Sequence, residues 1–211
     1  MSLFITFEGG EGCGKSVQAR ALYKKLSELS IPSILTYEPG GTPLSVKIGR
    51  WLKWHQDEEI SPITELLLFN AARSQLVANL IIPSLKEGKV VICDRYSDST
   101  TAYQSYGRGL ELDTVLLINN IATRNLKPDI TILLDIPVEA GLDRKRLRKH
   151  DRFEKANIAF HQRVRAGYLE LAAREPERWL IIDANQPRKQ IERIIWQKIT
   201  YLLSQRGSGH D

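Results

Sequence analysis

The chemistry in this sequence is concentrated first in Gly9-Gly10-Glu11-Gly12-Cys13-Gly14-Lys15-Ser16. Glycines let successive N–H groups turn inward and form a nest for an anion. A helix starting at such a loop adds the positive end of its dipole. Lys15 can reach the outer phosphates of a triphosphate, and the Ser16 hydroxyl can ligate Mg²⁺. A glycine-rich turn that merely contains a lysine is the plainer reading, and the flanks argue against it. Leu3 to Phe7 is an apolar run suited to a strand, and Val17 to Leu26 repeats its apolar positions at helical spacing. Strand, loop and helix in that order imply a nucleoside triphosphate site.

Further polar groups stand where strands end. Asp94-Arg95-Tyr96 follows the apolar Val90-Val91-Ile92-Cys93. Asp94 can hold a Mg²⁺-bound water, and Arg95 can grip a second phosphate with its planar fork. Glu38-Pro39-Gly40-Gly41 makes a turn that allows close backbone approach to a ligand. Phe69 and Arg73 lie four apart and share a helix face, an aromatic plane and a hydrogen-bonding fork suited to a base. Ser99-Thr100-Thr101-Ala102-Tyr103-Gln104 supplies hydroxyls and an amide. Taken singly, these pairs and turns read as ordinary surface or core features; the phosphate loop gives them a common purpose. Leu142 to Lys155 carries seven basic side chains against three acidic ones. If that segment is helical, Arg144, Arg148 and Arg152 share a face. A solvated charged face is the usual meaning of such a run. Mutual repulsion from Arg144 to Lys149 fits a lid that closes on polyphosphate and expels water.

Positioning these groups requires alternating strands and helices. Strands are expected at about 2–7, 33–37, 89–93, 130–136 and 179–182. Helices are expected at about 15–30, 43–54, 62–87, 97–106, 112–124, 155–174 and 187–204. That order calls for an α/β fold of the P-loop NTPase type, a doubly wound five-stranded parallel sheet with ligands at the carboxyl ends of its strands. One domain over 1–205 is expected, with a lid near 142–154 and a disordered tail over 206–211. The 211 residues are 42% hydrophobic and 26% charged, enough for a full core. No apolar run reaches the ~20 residues of a membrane span, and the N-terminus leads straight into a strand. Two cysteines, Cys13 and Cys93, suggest no disulfide framework, so a reducing cytoplasm is expected. The net charge of +5 is concentrated beside the triphosphate site, which favours phosphates over a nucleic-acid backbone as its partner.

Together these pieces resemble the bacterial thymidylate kinases over essentially the whole chain. The resemblance is carried by Phe7-Glu8-Gly9 through Gln18, Glu38 to Thr42, Phe69 with Ala72-Arg73, Asp94-Arg95-Tyr96 through Gln104, the basic lid, and Asp183-Ala184-Asn185-Gln186-Pro187. It implies transfer of the γ-phosphoryl group of Mg·ATP to dTMP, giving dTDP, by a homodimer. It further implies that Gly9 to Val17 cradle the triphosphate, with Lys15 stabilising the moving charge and Ser16 and Asp94 serving Mg²⁺. By the same resemblance Phe69 stacks thymine and Arg73 reads its carbonyl edge. Thr100 and Gln104 complete the base pocket with Glu38, Pro39 and Ser99 nearby, and Tyr103 packs on the deoxyribose. Arg95 holds the acceptor phosphate. Arg144 stacks on adenine beside Asp183 and Gln186, and Arg148 and Arg152 reach the phosphates. Glu11 with a basic lid marks the subtype whose catalytic arginines come from the lid.

Two positions depart from the family pattern. Val17 stands where a hydroxyl side chain is usual, leaving only its backbone N–H for the α-phosphate. Gly49 stands where an arginine is common, with Arg50 next, a 100° turn away on a helix. A kinase for another nucleoside monophosphate or a deoxynucleoside is the neighbouring reading. A P-loop ATPase switch or RNA-binding ATPase is the reading from a different class.

Overall fold

The computed structural model describes residues 2–55, 59–147 and 151–207. Five strands form one parallel sheet: β1 (Leu3–Glu8), β2 (Ser33–Tyr37), β3 (Val90–Asp94), β4 (Ile130–Asp135) and β5 (Trp179–Asp183), in the spatial order β2-β3-β1-β4-β5. Residues of β1, β3 and β4 are buried almost without exception, as strands covered by helices on both faces must be. The register sets Phe7 beside Asp94 and Tyr37 beside Asp94, so β1, β2 and β3 end level with one another. The chain therefore delivers Gly9, Glu38 and Arg95 to one edge of the sheet, at the point where β1 is flanked by crossovers running in opposite directions.

Local chemistry accounts for the helices. α1 (Lys15–Glu28) begins straight from the glycine loop. α2 (Pro43–Trp54) is capped by the Thr42 hydroxyl, which accepts from the Ser45 N–H, with proline at its first turn. α3 (Pro62–Leu76) is capped likewise by Ser61. It runs on through a π-helical turn, Val77–Ile81, into α4 (Ile82–Lys86). α5 (Ser97–Thr100) continues into a second π-helical stretch, Thr101–Gly107, followed by α6 (Leu112–Thr123). After β4 come α7 (Val138–Asp143) and α8 (Ile158–Arg174), and α9 (Arg188–Gly207) closes the described chain.

Three expectations need correction. The continuous helix Pro62–Lys86 spans 25 residues and is apolar and long enough to cross a bilayer by length and composition. The reading from uninterrupted apolar runs missed it because Glu65, Asn70 and Arg73 break the run while being buried. In this fold its Leu66, Leu76, Val77 and Ile81 are buried in the interior. The basic segment is not one helix: α7 ends at Asp143, and Arg144 to Leu147 form turns, so Arg144 and Arg152 do not share a helical face. Arg206 belongs to α9, which runs to Gly207, and pairs with Asp129 and the Ser2 carbonyl, so 206 and 207 are not part of a disordered tail. Residues 208–211 lie outside those described.

α7 meets the phosphate loop backbone to backbone. A Cβ on Gly12 would stand 1.9 Å from the Gly141 carbonyl oxygen, and a Cβ on Gly141 would stand 2.3 Å from that of Glu11. Gly141→Ala must push α7 off the loop, since neither neighbour is a side chain that can rotate away. The substitution is expected to cost roughly 1–3 kcal/mol in urea denaturation, in the range of overpacking, and to raise the KM for ATP. An unchanged midpoint and KM would refute this contact.

Candidate active site

The three strand ends open into a cavity of about 740 Å³. The phosphate loop forms its floor, from Glu11 to Val17; Gly9 and Gly10 lie beneath, contributing carbonyls. The Lys15 ammonium donates to the carbonyls of Gly9 (2.8 Å) and Gly10 (2.7 Å) and lies 3.4 Å from Cys13 Sγ. It thus closes the loop on itself. The Val17 N–H donates to the Gly14 carbonyl at 3.0 Å, so this group is already used, while its side chain stands on the rim. The Ser16 hydroxyl donates to Asp94 Oδ2.

Arg95 occupies the centre. Its backbone is left-handed (φ 72°), a conformation that costs a non-glycine residue about 1 kcal/mol or more and recurs at functional sites. Five partners hold the side chain. Nη1 donates to the Gly9 carbonyl (3.3 Å), Ser99 Oγ (3.1 Å) and the Tyr168 hydroxyl (3.2 Å). Nη2 donates to Glu11 Oε1 (2.8 Å) and the Tyr103 hydroxyl (3.2 Å). Glu11 also accepts from the Tyr103 hydroxyl (2.8 Å) and from Lys145 Nζ (2.6 Å). Burial alone would raise the Glu11 carboxyl, but Arg95, Lys15 and Lys145 together hold it well below the usual range. Lys145 in turn pairs with Glu154 beyond the turn of the basic segment.

A second end of the cavity is built on α3 and the π-helical stretch. Phe69, Arg73, Thr100, Tyr103 and Gln104 converge there with Glu38, Pro39 and Ser99. Arg73 is only 1% exposed. Its Nε donates to Glu38 Oε2 (2.7 Å), Nη1 to Asn70 and Asn119 Oδ1 (3.1 Å each), and Nη2 to the Tyr96 carbonyl (3.2 Å) and Thr100 Oγ1 (2.7 Å). All five of its N–H groups are thereby engaged by the protein. Gln104 is held by Glu65 (2.8 Å), a buried acid that also pairs with Arg108 and Arg152. The π-helical turn widens the helix at Tyr103 and Gln104, a distortion that tends to mark functional sites.

Some expected residues lie elsewhere. Arg152 pairs with Glu65 and with the Leu52 carbonyl (3.1 Å), on the α3 side, and does not line the cavity. Arg148 lies outside the described residues. Arg144 lines the cavity and donates to the Ala184 carbonyl at 3.2 Å, joining the basic segment to the loop after β5. Asp183, the last residue of β5, and Gln186 in that loop stand off the cavity itself. Conversely, Lys53, Lys145, Phe153 and Glu8 were not assigned from sequence. Phe153, buried, sets its ring 5.6 Å from that of Phe69 and 6.1 Å from that of Tyr103. Its signal was an aromatic inside a charged segment.

Glu8, at the end of β1, anchors the centre from behind. Its oxygens accept from the Tyr96 N–H (2.7 Å), Ser99 Oγ (2.5 Å) and the Tyr168 hydroxyl (3.1 Å). Burial, then the charge of Asp98, pushes its carboxyl up to about 7 from an ordinary 4.5, against the opposing pull of Ser99, Arg95 and the Tyr96 N–H.

A glycine nest at a helix start, an acid with a helix-borne hydroxyl, and an arginine fixed beside the lysine define a P-loop phosphotransferase. The model of the family described as thymidylate kinase matches residues 7–195. A thymidylate kinase of Dehalococcoides mccartyi (strain CBDB1) is 57% identical over 203 residues, covering 96% of this chain and 98% of the relative. That of Roseiflexus castenholzii is 50% identical over 201 residues, covering 88% and 87%. The crystal structure of thymidylate kinase from Ehrlichia chaffeensis superposes with a TM-score of 0.77 at 32% identity, covering 94% of this chain and 98% of that one. The chain belongs to the thymidylate kinase family.

Between pH 4.5 and about 7 the folded chain holds a proton on Glu8 that the unfolded chain has lost. Raising the pH through that window therefore removes stability, which is greatest below it. Glu8→Gln keeps the shape and abolishes the proton exchange. Denaturation midpoints of the variant should vary less than those of the wild type between about pH 5 and 7.5. Parallel pH profiles would show that Glu8 is ionised in the fold.

Proposed function

We infer that the reaction of the family, ATP-dependent phosphorylation of dTMP to dTDP, runs here between two groups that share one backbone oxygen. Lys15 Nζ and Arg95 Nη1 both donate to the Gly9 carbonyl, at 2.8 and 3.3 Å. A lysine serving the donor phosphates and an arginine serving the acceptor phosphate are thus held within one carbonyl of each other, and this observation carries the reading. Phosphoryl transfer asks mainly for such positioning and for neutralised charge.

In the proposed cycle Lys15 exchanges its loop carbonyls for the outer phosphates of ATP. Glu11 and Tyr103 keep the Arg95 fork aimed at the dTMP phosphate. Phe69 offers its ring to thymine under Phe153. Because the N–H groups of Arg73 are fully engaged, it reads a thymine carbonyl only by releasing one of its present acceptors, and Gln104 shares that task. Arg144 and the Ala184 loop form the adenine end, at the rim. The dTMP phosphate oxygen is already anionic, so no strong general base is needed.

The donor set suits Mg²⁺. The Ser16 hydroxyl touches Asp94, while no group of three or more carboxylate, histidine or cysteine ligands occurs among the described residues. Such a sparse set fits a hard ion that keeps waters and takes phosphate oxygens. When bound, the ion neutralises charge on the triphosphate; Ser16 would ligate it and Asp94 would orient one of its waters.

A homodimer, a cytoplasmic setting and a single kinase domain over residues 1–205 complete this reading. Supporting the dimer, Ile63 and Leu67 on α3 and Leu117 and Ile121 on α6 form exposed apolar pairs at helical spacing on two neighbouring helices, with Ile121 71% exposed. Ile121→Asp is expected to shift sedimentation from dimer to monomer; a wild-type monomer would refute the interface.

The activity is tested by a coupled assay with ATP and dTMP, dUMP, dGMP or thymidine as acceptor. dTMP should give the highest kcat/KM, and Arg95→Ala should lower it by about 10²–10³-fold. Equal turnover of dGMP, or an Arg95→Ala enzyme of unaltered kcat/KM, would overturn the assignment.

A further inference from the structure

Lys53, on α2, is a cation in the cavity to which no role has yet been given. Its position follows from a close contact one helical turn earlier. At Gly49 a Cβ would stand 2.8 Å from both the Cγ and the carbonyl oxygen of Pro39, so only glycine lets α2 press directly on the Glu38–Pro39 turn. Lys53 is four residues on and lies on the same face. The helix therefore carries Lys53 past Pro39 and into the cavity, which it lines with Glu11, Arg95 and Asp151. Arg50, beside Gly49, is carried away; it lines an outer groove with Tyr37, Trp51 and Trp54.

Among the described residues Lys53 has no ion-pair partner, although Asp151 and Glu11 line the same cavity. Its backbone carbonyl accepts from the Arg152 N–H at 3.1 Å, which fixes this end of α2 to the returning basic segment. Its ammonium makes no hydrogen bond or ion pair with any described residue. Glu11 is already committed to Arg95 and Lys145. Burial first, and then the charge of Arg95, both disfavour the Lys53 cation, with Asp151 and Glu11 opposing. Two half-buried cations facing one cavity are costly unless an anion enters between them. The acceptor-end groups Phe69, Tyr103 and Glu38 line the same cavity. The anion that reaches this end on the reading above is the phosphate of the monophosphate substrate.

We propose that Lys53 binds the phosphate of dTMP together with Arg95, as a second cationic ligand delivered by α2 through the glycine contact at Gly49. The assignment rests on the acceptor-site reading given above. Lysine suits the place as a compact charge on a flexible stem, complementing the rigid fork of Arg95.

Titration calorimetry with dTMP, thymidine and ATP tests it on the full chain. Lys53→Met keeps most of the aliphatic stem and removes the charge. It is expected to weaken dTMP binding about 10–100-fold, the range for a charge-assisted hydrogen bond, while thymidine and ATP bind as in the wild type. Lys53→Arg should recover most of the loss. Unchanged dTMP affinity, an equal loss for thymidine, or a loss confined to ATP would each overturn the proposal. Arg95→Ala separates the two levels. If it abolishes the preference for dTMP over thymidine and Lys53→Met does not, the lysine assignment alone falls. If the wild type binds both alike, the acceptor site falls with it.

Discussion

One carboxylate ties three parts of this site together. Glu11 rises from the phosphate loop, accepts from Arg95 after β3, and accepts from Lys145 in the basic segment. Each of those cations would otherwise be half-buried and repelled by Lys15 and by the others. Charges so placed are stable only when paired and hydrogen-bonded, and here a single acid serves both while Tyr103 supplies a further donor. Its carboxyl stays ionised because the cations outweigh the cost of burial. The geometry of the cleft is therefore an electrostatic arrangement, with the glycine nest as its frame. Incoming phosphates bring more negative charge than Glu11 holds, so the same cations can turn from the acid to the ligand without any of them being newly exposed.

Behind this centre lies a layer of buried polar groups that position one another. Glu8 receives Tyr96, Ser99 and Tyr168, two of which also touch Arg95. Glu65 receives Gln104, Arg108 and Arg152. Arg73 is saturated by Glu38, Asn70, Asn119, Tyr96 and Thr100. Networks of this kind are rigid when complete, because losing any member strands another group without a partner. They hold the hydroxyls and amides that line the cavity in place.

Much of the frame was legible in the sequence, because strand burial on both faces and helix caps are local signals. The β strands fall within a residue or two of their expected limits, and Thr42 and Pro43 announce α2 as they stand. Gly9 to Ser16, Asp94 and Arg95 were legible because glycine, lysine and acid at strand ends have few other uses. The basic segment was not. Its periodicity permitted a helix, but α7 stops at Asp143, and Lys145, an unremarked member of the run, makes the contact with Glu11. Arg152 was read as a phosphate ligand because arginine spacing alone cannot reveal Glu65, an acid buried 87 positions earlier in the chain. Lys53 was hidden for the same reason: its meaning depends on how close Gly49 brings α2 to Pro39, and closeness between helix and loop leaves no mark on periodicity.

The meeting of Gly12 with Gly141 bears on how this family can drift. A methyl group on Gly12 would sit on the Gly141 carbonyl, and one on Gly141 would sit on the carbonyl of Glu11, the residue before Gly12. A side chain at either site is open only after the facing backbone has retreated, and any retreat alters the curvature of the glycine nest. Two residues far apart in the gene are thus yoked, and sequence variation at either is a record of whether α7 still rests on the loop.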